Sequence, residues 1–307
     1  MNIIAITTNS QEFIINNIIS LSIKKSTDAQ AHSLSCSIFA DKIIDNISEI
    51  KVIDNDFILF AGIVDTQKIT CDGSGLHIDI TARSYSALLI DSEALPTTYY
   101  MPSLQLIYDK NIAPYNIKGY KGDNKTYTGI LTINKNSSEW SVLQNFANKF
   151  MGVTPIIDEN KVLDLTDNNK NNTVIINFNR NTMSISKELR PYKLISKIIM
   201  RTNDNSDYST IINNSNTNAL LKKRYYDTVN NQNIYTSEQI LKNTNNQYQI
   251  IKIIYSGFLD VQLYNKFEIF DSPINIGSYN LTVSEIKYTL SNKGKYTYLT
   301  LKATNRE

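Results

Sequence analysis

His32 and His77 are the only imidazoles in the chain, and Cys36 and Cys71 its only thiols. A Ser–His or Cys–His nucleophile needs one of those histidines as its base, and neither lies near a strand–turn–helix elbow sequence. His77 falls between Leu76 and Ile78, at an outward position of an alternating strand, so a surface side chain is expected there. The cysteines and histidines show no zinc spacing. Both thiols sit inside expected strands and read as buried and free. No EF-hand loop, phosphate loop or dinucleotide fingerprint occurs. No catalytic, cofactor-binding or metal-ligating residue is therefore assigned, and no cofactor is expected.

Carboxylates are harder to dismiss, because glycoside hydrolysis needs only two of them placed across a scissile bond. Asp79, Glu93, Asp158, Glu188 and Asp260 are candidates for such a pair, against the preferred reading of solvated charges on strands and loops. Trp140 could offer an aromatic face to a ligand. It recurs at helical spacing with Leu143, Phe146, Ala147 and Phe150, however, which is the pattern of a packed stripe. The segment KKRYY at 222–226 could grip phosphates or sugars. A charged strand edge or protein interface suits a near-neutral chain better.

The elements that must position these groups are mostly strands. A chain of 307 residues can hold two or three cores. Charged residues make up 20% and the net charge is +2, which argues against a basic nucleic-acid binder or an acidic tail. The start, MNIIAITTNS, lacks the basic and apolar regions of a signal peptide, and no run is long enough to span a membrane. Assembly in the cytoplasm, without membrane insertion, is expected.

Residues 18–24 place Ile19, Leu21 and Ile23 on one strand face, and 33–39 alternates Leu34, Cys36 and Ile38 with serines. The stretch 41–54 reads as a helical turn leading into a strand. Residues 57–64 form a strand in which Gly62 marks a bulge or a close backbone approach. Residues 85–91 are a helical turn or a strand end, and LPTTYYMP marks a boundary. A short helix at 103–115 ends at Pro114. The stretch 137–152 is the best helix, capped by Ser137 or Ser138 and closed by Gly152. Two strands flank a turn at 158–160. Residues 193–202 and 248–257 are strands, 203–207 is a polar loop, and 236–246 is a short helix. The asparagine-rich NNKNN at 168–172 lies between strongly periodic segments, which argues against low-complexity disorder. The fold class expected is mainly β (α+β): β-domains at 1–98 and 187–307 flanking a small α/β insert at 99–186.

Two distant stretches echo each other. VDTQKITCDGSGLHIDITARS at 64–84 aligns without a gap on VSEIKYTLSNKGKYTYLTLKA at 283–303, each position displaced by 219 residues (64 to 283, 81 to 300). Val64 meets Val283, Lys68 meets Lys287, Thr70 meets Thr289, Gly75 meets Gly294 and Thr81 meets Thr300. His77 meets Tyr296, as a surface rung would. Each copy reads as strand, Gly-containing turn and strand. Unrelated hairpins share such features because turns need glycine and strands need β-branched residues. The alternative is a duplicated β-domain at the two ends of the chain.

Four stretches, in order, resemble the baseplate hub proteins of contractile phage tails and tailocins, the family that includes the late control protein D type. They are FAGIVDTQKITCDGSGLHIDITARSYSALLIDSEA at 60–94, SSEWSVLQNFANKFMGVTPIID at 137–158, RPYKLISKIIMR at 190–201, as the strand re-entering the second barrel, and the closing hairpin at 283–303. The resemblance implies two tail-tube-type β-barrels per subunit and a homotrimer. Such a trimer is a structural symmetry adaptor, joining a six-fold tail tube above to a three-fold central spike below, around a lumen. Its implied partners are the tube protein, the spike protein and wedge and other baseplate proteins, in a phage-tail or tailocin particle. Many hubs carry extra domains or a fused hydrolase; nothing after the closing hairpin supplies one, so no enzyme activity is expected. The rival readings are a cell-wall-degrading or carbohydrate-active tail protein, with paired carboxylates in 99–186, and a tail-tip protein of a non-contractile tail.

Overall fold

Strand pairing dominates the computed structural model, which describes residues 1–73, 75–166, 172–179, 181–201, 207–214, 221–227, 232–276 and 279–305. The N-terminal β region comprises β1 (Asn2–Thr7), β2 (Glu12–Ile15), β3 (Ile18–Ser26), β4 (Ser33–Phe39), β5 (Ile47–Asp54), β6 (Phe57–Asp72) and β7 (Gly75–Ser84). A short helix α1 (Ser86–Ile90) leads out of it. Then come β8 (Thr97–Tyr100), α2 (Leu104–Ile107), β9 (Gly119–Lys121), β10 (Ile130–Ile133), α3 (Glu139–Phe146), β11 (Ile156–Ile157) and β12 (Val162–Asp164). The C-terminal β region comprises β13 (Thr173–Asn177), β14 (Thr182–Leu189), β15 (Lys197–Arg201), β16 (Thr210–Asn213), β17 (Lys223–Asp227), α4 (Gln232–Asn246), β18 (Gln249–Ser256), β19 (Lys266–Phe270), β20 (Tyr279–Ser291) and β21 (Gly294–Asn305).

The fold is mainly β, as the alternation requires, and its sheets are open. One 13-stranded sheet runs β14-β18-β21-β20-β3-β4-β7-β6-β5-β1-β2, with β19 on β20 and β13 on β19. Its inward residues form one continuous core that draws on both end regions, from Ile3, Leu34, Ile50 and Ile80 to Ile251, Phe267, Ile286 and Leu299. Strands β13 and β14, which overlap 99–186, already pair in this sheet.

Between the β regions, α1, α2, α3 and three short pairings surround a second core that contains Leu104, Ile107, Trp140, Leu143, Phe146 and Leu163. β8 pairs with β10, and β12 pairs with both β9 and β11. Helix α3 starts where the Ser138 hydroxyl accepts the Ser141 N–H, and its π-helical extension 147–151 stops at Gly152, whose φ is +69°. The residues around 103–115 split into α2, a π turn and a 3₁₀ turn. The turn at 158–160 forms because the Asp158 carboxylate accepts the N–H groups of Asn160 and Val162.

Several elements depart from the sequence reading. Ile19 does not share the face of Leu21 and Ile23, because a β-bulge between Ile18 and Ser20 shifts the phase and leaves Ile19 exposed. Residues 41–46 hold no helical turn. β15, read as re-entering the large sheet, instead centres a separate sheet with β16 and β17. Ile198, Ile199 and Met200 are consecutive and all buried there, and Ile198 and Met200 pack in a third core with Ile195 and Leu241 of α4. Helix α4 begins before the expected 236. The stretches NNKNN at 168–172 and 203–207 lie outside the described residues, apart from Asn172 and Asp207.

Candidate functional site

The candidate chemical groups stay apart. Asp79 is exposed on β7, Glu93 accepts the Asn136 N–H, Asp158 holds its own turn, and Asp260 is exposed in the loop before β19. Glu188 lies on β14 between Arg190 (2.8 Å) and Lys252 (3.1 Å), whose hydrogen bonds hold its carboxyl down at about 2. No hydrogen bond or ion pair joins any two of these five carboxylates among the described residues. Likewise, no group of three or more His, Cys, Asp or Glu could hold a metal ion among them.

Trp140 is core, at 5% exposure. In the 222–226 segment Lys222 donates to the Tyr192 carbonyl, while Tyr225 meets Tyr208 edge-on at 5.6 Å on an exposed face. Cys36 is buried as expected, and burial followed by the nearby Asp79 charge pushes its thiol up to about 12. Cys71 is a correction, since it is exposed near the tip of β6. His77 is half-buried against the Phe39 ring, 5.4 Å away.

What the fold does bring together is the duplicated hairpin. β6 and β7 pair from Val64 opposite Ala82 to Asp72 opposite Gly75, and β20 and β21 pair from Val283 opposite Leu301 to Ser291 opposite Gly294. Every pair is displaced by the same 219 positions. The bulge falls in the same place, between Val64 and Thr66 and between Val283 and Glu285. Gly75 and Gly294 both have positive φ, +122° and +111°, a backbone state that favours glycine.

The repeat extends beyond the hairpin. β3, β4, β7, β6 and β5 are neighbours in that order, and β14, β18, β21, β20 and β19 repeat the order. A second bulge recurs, at Ile19 in β3 and at Met183 in β14, and both side chains are exposed. No pattern in the sequence flags these bulges; only the paired register exposes them.

The two copies are joined by one strand pair. Residues 285–290 of β20 run antiparallel to 21–26 of β3, with Tyr288 opposite Ile23. Ion pairs flank the join: Lys295 with Asp54 at 2.6 Å, Lys302 with Asp28 at 3.1 Å and Lys24 with Glu285 at 3.4 Å. The equivalent edges at the far ends carry no strand among the described residues. Those are the outer edge of β14 and residues 66–71 of β6.

The insert is tied to the N-terminal β region by a polar seam. Glu159 pairs with Lys25, and Lys161 reaches Glu49 at 2.7 Å beneath the Tyr85 ring. Burial acts to raise the Glu159 pKa, but the Lys25 charge and hydrogen bond override it and hold it below the usual carboxylate range. His32 beside them is pushed down to about 4, by burial first and then by Lys25, against the pull of Glu159.

No protein-family model matches the chain, and no curated protein matches its sequence. Solved structures do share its fold. The 43 kDa tail protein of prophage MuSo2 from Shewanella oneidensis matches over 98% of both chains, with a TM-score of 0.81 and 13% identity. A tail protein from Neisseria meningitidis covers 98% of this chain and 96% of its own, with a TM-score of 0.77 and 15% identity. An E. coli component of the type VI secretion system, described as structurally similar to bacteriophage T4 tail proteins, covers 94% of this chain and 74% of its own. Its TM-score is 0.60 and its identity 6%. The chain has the fold of phage tail proteins, over nearly its whole length.

Proposed function

We propose that this chain is a non-enzymatic structural hub of a contractile phage-type tail or tailocin. Three copies form a ring around a lumen, joining the six-fold tail tube to a three-fold spike. The observation that carries the reading is the duplication. One chain presents the same strand order, register and bulges twice, so three chains present six similar units to a six-fold partner and three-fold symmetry to another. The shared fold with phage tail proteins supports the particle, and the scattered carboxylates offer no cleft for hydrolysis. The test is cryo-electron microscopy of the assembled particle. Three copies at the end of the tube, each spanning two tube subunits, are expected. Six copies with one unit each, or a position at the periphery, would overturn the reading.

A further inference from the structure

The join inside the chain is a template for a join between chains. β3 and β14 are equivalent strands, as are β20 and β6, yet only β20 and β3 are paired with each other. We propose that the outer edge of β14 in one copy pairs antiparallel with residues 66–71 of β6 in a second copy. The internal register fixes the partners. Leu290 opposite Leu21 becomes Cys71 opposite Ile185, and Lys287 opposite Lys24 becomes Lys68 opposite Glu188.

Several observations support this occupant. Both edges are long enough for the six residue pairs that the internal join shows, and open strand edges are normally paired or blocked. The bulges that set the phase of β3 and β20 recur in β14 and β6, so the same faces turn inward. Two lysines face each other in the internal join, whereas the join between copies sets Lys68 against Glu188, a favourable cross-strand pair. Pro191 stands where Thr27 donates to the Ser284 carbonyl, so the new ladder ends at Arg190. Lys187 stands where Ile23 stands, and its amine reaches the Asn275 carbonyl. A lysine on an open edge discourages indiscriminate pairing, which leaves this edge selective.

A head-to-tail contact of this kind closes into a ring or grows into a filament. The count of three rests on the proposed function; the edge pairing does not. Ile185→Cys places a second thiol opposite the native Cys71, at the Cα separation that a disulfide between antiparallel neighbours accepts. Under a mild oxidant most full-length Ile185→Cys chains at high concentration should shift, on a non-reducing gel, to two and three times the subunit mass. Adding Cys71→Ser should abolish the shift, and Lys187→Cys, one step off register on the same face, should give little. Lys68→Cys with Glu188→Cys, in a Cys71→Ser background, should restore it. A ladder running past three supports the edge pairing and overturns the trimer. A three-fold ring seen by microscopy in which neither cysteine pair crosslinks overturns the edge pairing and leaves the hub standing. Crosslinking of residue 185 to a different protein also overturns it.

Discussion

The N-terminal and C-terminal β regions are built on one plan and stabilised differently. Strands β2 to β7 correspond in order to β13, β14, β18, β19, β20 and β21, but β1 intrudes between β2 and β5 while β13 lies directly on β19. The short connection from β3 to β4 becomes, in the second copy, a span holding β15, β16, β17 and α4. Inside the shared frame the side chains diverge. Gly62 corresponds to Leu281, Ile78 to Thr297 and Arg83 to Lys302. Arg83 binds Asp65 and Asp91, while Lys302 reaches Asp28 of the other copy and so secures the join. Register and bulges are therefore what a duplicated β unit must keep; the buried contacts around them are free to be solved twice.

The sharpest break should come at Gly62. A Cβ there would lie 2.1 Å from the Arg83 carbonyl oxygen, whereas its counterpart is a buried leucine. Gly62→Ala should cost more than about 3 kcal/mol, the upper range for overpacking, read as a lowered urea midpoint. A loss well under that would mean that β7 shifts easily and the two copies tolerate the same residues.

Exchanging Ile78 and Thr297 comes next. Thr297 is fully buried, with its hydroxyl accepting the Leu259 N–H at 3.1 Å and donating to the Gly257 carbonyl at 2.7 Å. Thr297→Ile strands both backbone groups, a loss of about 2 kcal/mol. Ile78→Thr buries a hydroxyl where an apolar side chain packs, at a similar cost of about 2 kcal/mol. If either single change is neutral, the local solutions are interchangeable after all.

The smallest expected effect belongs to His32, in the β3 to β4 connection that the second copy replaces. Its folded pKa of about 4 lies below the unfolded value of 6.5. As pH falls the unfolded chain takes up the proton first. The stability held above pH 6.5 is therefore lost as pH falls through the folded value of about 4. The loss should be on the order of 2 kcal/mol. Glu159, whose pKa is depressed, adds a loss at the lower end of the same window. Urea titrations at pH 7 and pH 4 should show a smaller drop for His32→Gln than for the native chain. Equal drops would assign the pH dependence to Glu159 and the other carboxylates.

By itself the sequence determined the repeat, the strand alternation that buries Leu34, Cys36 and Ile38, the capped helix at Ser138 and the glycines of both hairpin turns. Each of these is local: a period, a cap or a positive φ is written in adjacent residues. Gly62 was legible as a close approach, because a glycine within an apolar strand needs a reason. Only the tertiary structure decided that Ile19 and Cys71 face outward, that β15 leaves the large sheet, and that the two β regions are joined through β3 and β20. A bulge is set by the partner strand's register, and Ile19 reads as inward in any alternating pattern that ignores it. The helix α4 that gathers β15 lies some thirty residues away along the chain, beyond the reach of local periodicity. The choice of edge for the join depends on which strand ends remain unpaired once both copies have folded, and no stretch of neighbouring residues carries that information.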